Sequence, residues 1–417
     1  MQKQQFENNI ARFLSCYDYD VTKTGNARWI DQKCTCDVLS FVTNCILEYA
    51  DPDSSPFSIK DIWESSYARQ NIQMFSKPNV DLDLAKHEYD KFFSQPINLL
   101  CYSGMLLAEK DGNKNVFTIS NPLSLDILEN VATNDWNALI FLQFYIEKVL
   151  RDSGVWHIFE IFLKSQNKDE FFQLKDAFTQ FTIKNTRING ETECGRIFTK
   201  VLNPLAFKYK TRGTERGKLS TNIITLDDLK YNRMNWFDEL SGKDKNLTRQ
   251  EYSWSGGYDY SESESSNYEI QKAKQRVKRY NSRFNKGYSE VKRGEFANIP
   301  VHIHHIFPSA EFPSLRCCEE NLIAITPNQH YAEAHLGNHT DRVDKVFQYI
   351  CLIAKTRTIM ENDRQHKTST YDFRAFCYVL NVGLNTNVFD LTHDDLIRDA
   401  DYLSLIFRIH DFFLEYL

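Results

Sequence analysis

The stretch NIPVHIHHIFPSAEFPSLRCCEENLIAITPNQHYAEAHLGN, from Asn298 to Asn338, decides how this chain is read. Together with His339 just beyond it, it gathers six of the protein's 11 histidines: His302, His304, His305, His330, His335 and His339. Ile299 to Ile306 alternates as a strand, Pro308 to Glu320 forms a long polar turn, and Asn321 to Thr326 forms a second strand. Pro327 opens a helix that Gly337 closes. Antiparallel pairing in such a β-β-α unit brings positions distant in sequence into register, so strand and helix histidines converge. Imidazole takes protons near neutral pH and ligates metals, and the cluster therefore predicts a metal-assisted hydrolytic site.

Immediately before this stretch the charge changes. From Glu269 to Arg293 the chain carries Lys272, Lys274, Arg276, Lys278, Arg279, Arg283, Lys286, Lys292 and Arg293 against only Glu269 and Glu290. A second patch places Lys208, Lys210, Arg212, Arg216 and Lys218 around a single Glu215. Although the whole protein has a net charge of −6, local patches of this kind are the footprint of a phosphate-binding surface. The plain alternative is a solvated charged face.

A chain of 417 residues exceeds one compact core and implies several domains. With 42% hydrophobic and 25% charged residues, its composition is that of a soluble globular protein. The N-terminus lacks a basic start followed by an apolar run, and no stretch is apolar enough to span a bilayer, which predicts a cytoplasmic protein without a membrane partner. The cysteines are scattered, as free thiols are, and neither Cys34-Thr35-Cys36 nor Cys317-Cys318 has zinc-ribbon spacing, so no structural zinc is expected.

The fold class expected is multi-domain and mainly α with α+β parts. Residues 1–184 form a helical N-terminal region. Within it, helices over Asp31–Ala50, Ile59–Tyr67 after a capping Ser58, and Asp83–Met105 precede two short strands joined by a Gly-Asn turn and ended by Asn121-Pro122. Three helices and a hairpin over about 30–122 have the order of a winged helix, whose third helix can enter a major groove; the alternative is a helical domain with an incidental hairpin. Residues 185–250 read as a basic irregular region and 251–297 as a linker, rich in Ser and Tyr between Glu251 and Ser266, followed by a basic helix. The histidine-rich module occupies 298–340. Segments within 341–417 form a C-terminal helical cap.

The residues His304-His305-Ile306-Phe307-Pro308, then Asn321-Leu322, then His330 resemble the HNH nuclease motif, also called the ββα-metal finger. That resemblance implies that His305 is the general base that activates water, that His304 and His330 are metal ligands, and that Asn321 orients the His305 imidazole and holds the loop. His302 and His335 are accessory candidates, and His302, two residues from His304 on the same strand face, can replace or assist it. The implied reaction is phosphodiester hydrolysis on a single divalent ion, Mg²⁺ in most of the family. An all-imidazole pair suits Mn²⁺ or another borderline ion as well. The CxxC pairs that brace many family members are absent; Thr326 and Gln329 stand there, and packing must hold the finger instead.

More broadly, the strings from Arg28 to Tyr49 and from Cys194 to Ser220 are similar to segments of HaeII-type type II restriction endonucleases. The resemblance implies a metal-dependent endodeoxyribonuclease that cuts double-stranded DNA at a short specific site, leaving 5′-phosphate and 3′-hydroxyl ends. It further implies a cognate DNA methyltransferase acting in the same system, while a symmetric site calls for a homodimer. The Lys and Arg residues of the two patches would hold phosphates. Competing readings are a modification-dependent or RNA-directed HNH nuclease and a non-enzymatic winged-helix DNA-binding protein. A PD-(D/E)xK nuclease could be drawn from Asp31-Gln32-Lys33 or Glu290-Val291-Lys292, but these tripeptides lack an upstream acid.

Overall fold

The computed structural model describes residues 2–50, 56–75, 86–112, 114–231, 262–292, 301–334, 343–389 and 402–416. His335, His339 and most of the expected linker lie outside the described residues. The chain divides into two compact units, Met1–Tyr260 and Ser261–Leu417. Both are mainly helical with small antiparallel sheets. No helix among the described residues is long and apolar enough to cross a membrane.

The first unit is organised around a buried helix. It begins with α1 (Gln2–Leu14), α2 (Val21–Thr24) and α3 (Cys36–Tyr49). Every residue of α3 from Cys36 to Leu47 is buried, so the helix is central rather than a surface amphipath. Next come α4 (Ile59–Glu64), α5 (Ser66–Asn71) and α6 (Lys86–Tyr102), then the hairpin of β1 (Leu106–Asp111) and β2 (Lys114–Ile119). Ser58 and Asp61 form the reciprocal capping box that starts α4. The single helix expected over Ile59–Tyr67 is two, because the Ser65 side chain accepts from Ala68 N at 3.2 Å and caps a new start. Phe57 exchanges backbone hydrogen bonds with Phe117 of β2 and adds a one-residue third strand to the hairpin.

Asn121 caps α7 (Pro122–Val131) with proline at its first position, and Asn134 caps α8 (Asp135–Asp152). Helices α9 (Trp156–Ser165) and α10 (Lys168–Asn185) complete the helical run expected there. Beyond it the structure is more regular than the expected irregular region. Helix α11 (Glu191–Lys208) buries Cys194, Ile197, Phe198, Val201, Leu202 and Leu205 at helical spacing, a stripe disguised by the poor helix formers Gly195 and Pro204. The hairpin of β3 (Arg212–Glu215) and β4 (Lys218–Ile223) follows. Its two-residue tip, Arg216 at φ 52° and Gly217 at φ 76°, is left-handed at both positions, as a type I′ turn requires. Asn203 on α11 grips β3, accepting from Thr214 N at 2.8 Å and donating to Thr214 O at 3.0 Å. A Cβ at Gly213 would lie 2.5 Å from Asn203 Oδ1, so only glycine permits this approach.

The second unit opens with the long basic helix α12 (Glu262–Asn285), which starts inside the expected linker. The hairpin of β5 (His302–His305) and β6 (Leu322–Ile325) follows, then a π-helical segment (Gln329–Ala334). Helices α13 (Lys345–Glu361), α14 (Phe373–Gly383) and α15 (Tyr402–Phe413) supply the C-terminal part of a common core that contains Ile306, Phe307, Leu322, Leu352, Phe376 and Ile409. β6 is buried on both faces, the mark of a strand enclosed by its surroundings. Phe307 approaches α14 so closely that a Cβ at Gly383 would lie 2.4 Å from its ring.

Candidate functional site

The hairpin register opposes His302 to Ile325, Ile303 to Ala324, His304 to Ile323 and His305 to Leu322. Strand alternation sends His302 and His304 to one face and His305 to the other. His330 reaches the first face from the π-helical segment, a wide turn often found at functional positions. The His304 and His330 rings stand 5.0 Å apart at 85°, whereas the exposed His302 lies 6.3 Å from His330. His305 makes no ring contact with these three among the described residues.

Two imidazoles sharing one ion through bonds of about 2.1 Å, at ligand angles of about 90–110°, place their centroids roughly 4.6–5.3 Å apart. The His304–His330 pair fits that range. His302 fits only if it stands nearly opposite His330. His304 Nε2 and His330 Nδ1 are buried, and neither atom has a hydrogen-bond partner among the described residues, although both rings pack against neighbours. No third His, Cys, Asp or Glu completes a metal-binding group among the described residues.

His305 is held differently. Its Nε2 lies 3.0 Å from the carbonyl oxygen of Arg316. A carbonyl only accepts, so Nε2 carries the proton and Nδ1 is left as the basic nitrogen. Burial pushes the His305 pKa down; the bond to Arg316 opposes this, and the charge of Lys274 adds to it. The neutral ring, the form that accepts a proton, is therefore favoured.

Asn321, fully buried, holds the loop between the strands. Its Oδ1 accepts from Phe307 N at 2.8 Å, and its Nδ2 donates to Phe307 O at 3.0 Å and Leu315 O at 3.2 Å. Backbone bonds join Ile306 N to Asn321 O at 2.8 Å and Asn321 N to Cys318 O at 3.0 Å. The structure thus places Asn321 as the staple of the loop that presents the Arg316 carbonyl. The atom that meets His305 is that carbonyl oxygen, and Asn321 bears on the imidazole through the loop.

Around Thr326 and Gln329 stands a polar cluster. Gln329 Oε1 accepts from Ser289 Oγ at 2.7 Å and Thr326 N at 3.0 Å, while its Nε2 donates to Val291 O at 3.0 Å. On the adjacent residue, Glu290 accepts from Ala324 N at 2.9 Å and from Thr358 at 2.6 Å, and its carboxylate is 2.9 Å from Lys355 Nζ. Both partners of this ion pair are buried, at 3% and 0% exposure, and desolvation pulls the Lys355 amine below its usual pKa against the pull of Glu290. Glu290 is thereby committed to holding β6 and α13 together.

The basic residues divide into engaged and outward-facing groups. Lys272 is buried with its amine 5.5 Å from the Tyr268 ring centroid. Arg276 pairs with Glu319 at 2.5 Å and donates to Ser369 O at 3.0 Å. Lys278 and Arg283 are exposed, Arg279 is half-buried, and Lys274 is half-buried near His305. In the first unit Lys208 pairs with Glu147 at 2.8 Å and Arg212 donates to Gln166 O at 2.5 Å, while Lys210, Arg216 and Lys218 are exposed. The burial of Lys272 and the carboxylate on Arg276 remove these two from the surface on which the charge count had placed them.

No family model matches the chain, and comparison with curated proteins and with solved structures returns no match. Sequence reading had overlooked the Arg316 carbonyl, which carries no side-chain signal. It had weighed Glu290 only as part of a tripeptide.

Proposed function

We propose that the second unit is an HNH-type, metal-dependent phosphodiester hydrolase acting on double-stranded DNA. The observation that carries this reading is the lock of His305 Nε2 on the Arg316 carbonyl, one residue from a pair of imidazoles spaced to share an ion. In this reading His305 Nδ1 takes the proton of the attacking water, an effect worth about 10²–10⁴-fold in rate. His304 and His330 hold the divalent ion, Mg²⁺ or Mn²⁺. When bound, the ion would neutralise charge on the scissile phosphate and the departing oxygen. Asn321 positions the loop and, through it, His305.

The exposed basic residues Lys278, Arg283, Lys210, Arg216 and Lys218 would contact DNA phosphates. Helices α3 to α6 and the β1–β2 hairpin of the first unit, in winged-helix order, would choose the site. We further propose a type II restriction activity exercised by a cytoplasmic homodimer, with a methyltransferase protecting host DNA. Incubation of the purified protein with unmethylated plasmid and Mg²⁺ or Mn²⁺, followed by sequencing of the ends, tests this. Discrete fragments with 5′-phosphates are expected. Intact plasmid under both ions would overturn it.

A further inference from the structure

We infer that Arg276 and Glu319 are a positioning pair for His305, acting through the loop whose Arg316 carbonyl grips the imidazole; the inference rests on the nuclease reading above. The Arg316 oxygen lies 3.0 Å from His305 Nε2, and a backbone acceptor is aimed only as well as its loop is fixed. Just beyond Arg316 the loop ends in the turn Glu319–Asn321, on which α12 and α14 both pack. Each residue of this turn is fastened in a different direction. Asn321 Nδ2 donates to Leu315 O at 3.2 Å, beside Arg316 itself. Glu320 accepts from Asp372 N, at the head of α14, at 2.8 Å. Glu319 accepts from Arg276 Nη1, on α12, at 2.5 Å. Cys318 N returns to Leu315 O at 3.2 Å, so the turn and Arg316 move together.

The second nitrogen of the guanidinium completes the arrangement. Arg276 Nη2 donates to Ser369 O at 3.0 Å, and Ser369 lies just before Asp372, whose amide holds Glu320. The bonds therefore close a ring, from Arg276 to Glu319, through Glu320 to Asp372, and back along the chain to Ser369 and Arg276. Buried Asn362 steadies the far side of this ring, donating to Thr368 O and to Tyr371 O at 3.2 Å each. A planar fork of donors suits a residue that must bond two elements at once, and a lysine ammonium lacks it. The Arg276 and Glu319 side chains are only 10% and 18% exposed. Attraction in so sheltered a pair is largely offset by lost hydration, so stability is a poor account of it. Its contribution is geometric. It ties α12 to the loop that aims His305, and a shift of about 1 Å in a catalytic group costs about 10²-fold in rate.

The test uses Arg276→Met, Glu319→Met, the two together, Glu319→Gln, and the exchange of Arg276→Glu with Glu319→Arg. Single-turnover cleavage of plasmid at saturating enzyme gives the rate, and a duplex titrated without divalent ions gives the affinity and its salt dependence. Nitrogen NMR of isotope-labelled histidine in the ion-free protein reads the His305 tautomer, assigned by its loss in His305→Ala. We expect each Met variant to slow cleavage by about 10²-fold, with affinity and salt slope within about twofold of the parent, because a positioning group touches no phosphate. The double variant should be no slower than the slower single, as two members of one unit require. Glu319→Gln, which keeps an acceptor oxygen, should stay within about tenfold of the parent, and the exchange should regain at least about tenfold of the loss. The parent should show His305 protonated at Nε2 alone, and both Met variants a mixture of tautomers. Parent-like cleavage by Glu319→Met, beside a slow Arg276→Met with a reduced salt slope, would make Arg276 a phosphate contact and overturn the pairing. A tautomer as pure in both Met variants as in the parent would overturn it too. A parent that cleaves nothing removes the nuclease reading instead, and the nitrogen spectra then decide by themselves whether the pair positions His305. Should a Met variant fail to fold, Glu319→Gln and the exchange carry the same comparison.

Discussion

The Nε2 atom of His305 lies 3.0 Å from the carbonyl oxygen of Arg316. One backbone oxygen thereby selects the tautomer, fixes the ring and leaves Nδ1 as the acceptor. Because the contact is to backbone, its strength depends on whatever holds residues 307–316 in place.

His305→Ala removes the proton acceptor and nothing that the core requires. Cleavage should fall by at least about 10²-fold, in line with the loss of a general base. Single-turnover assays on plasmid measure this, and a parallel thermal melt should show an unchanged transition.

Asn321→Ala orphans Phe307 N, Phe307 O and Leu315 O in a dry interior. A cost of about 3 kcal/mol follows from leaving buried groups unpaired. Urea denaturation should register it, and cleavage should drop as well, because the loop that presents Arg316 loosens. Full stability in this variant would contradict the role assigned to Asn321.

Lys355→Met leaves the Glu290 carboxylate buried opposite a thioether. Breaking a buried pair from one side typically costs about 3–5 kcal/mol. Replacing both partners, Glu290→Gln with Lys355→Met, should recover most of that loss, because no uncompensated charge remains. A double-mutant cycle by chemical denaturation separates the pair energy from the loss of either side chain.

Glu320 makes stability depend on pH. Burial, reinforced by the neighbouring Glu319 charge, raises its pKa from 4.5 to about 7, against the hydrogen bond from Asp372 N. A raised folded pKa means that the native state binds the proton more tightly. The contribution is therefore full below pH 4.5 and disappears as pH climbs through about 7. Its size is about 3 kcal/mol between those limits. Glu320→Gln should flatten this slope, so that the variant gains on the parent as pH rises from 5 to 8; denaturant midpoints across that range read it directly.

Much of the β5–β6 hairpin was legible in the chain itself. Two short strands, the turn between them and the spacing of His304, His305, Asn321 and His330 follow from local rules of alternation and capping, which act over a few residues. The start of α4 at Ser58 was legible for the same reason. Helix α11 was not, since Gly195 and Pro204 interrupt a stripe that only packing shows to be continuous.

The sequence by itself determined which side chains are available for the chemistry, and a local charge excess that forecast phosphate contact. Only the tertiary structure decided which of those charges are already spoken for. Arg276 meets Glu319 across 43 residues of chain, and Lys355 meets Glu290 across 65. It also decided that His305 is gripped by a backbone carbonyl. Pairings over such separations depend on loop closure and core packing, and a carbonyl is the same atom at every residue, so neither leaves a mark in the order of side chains.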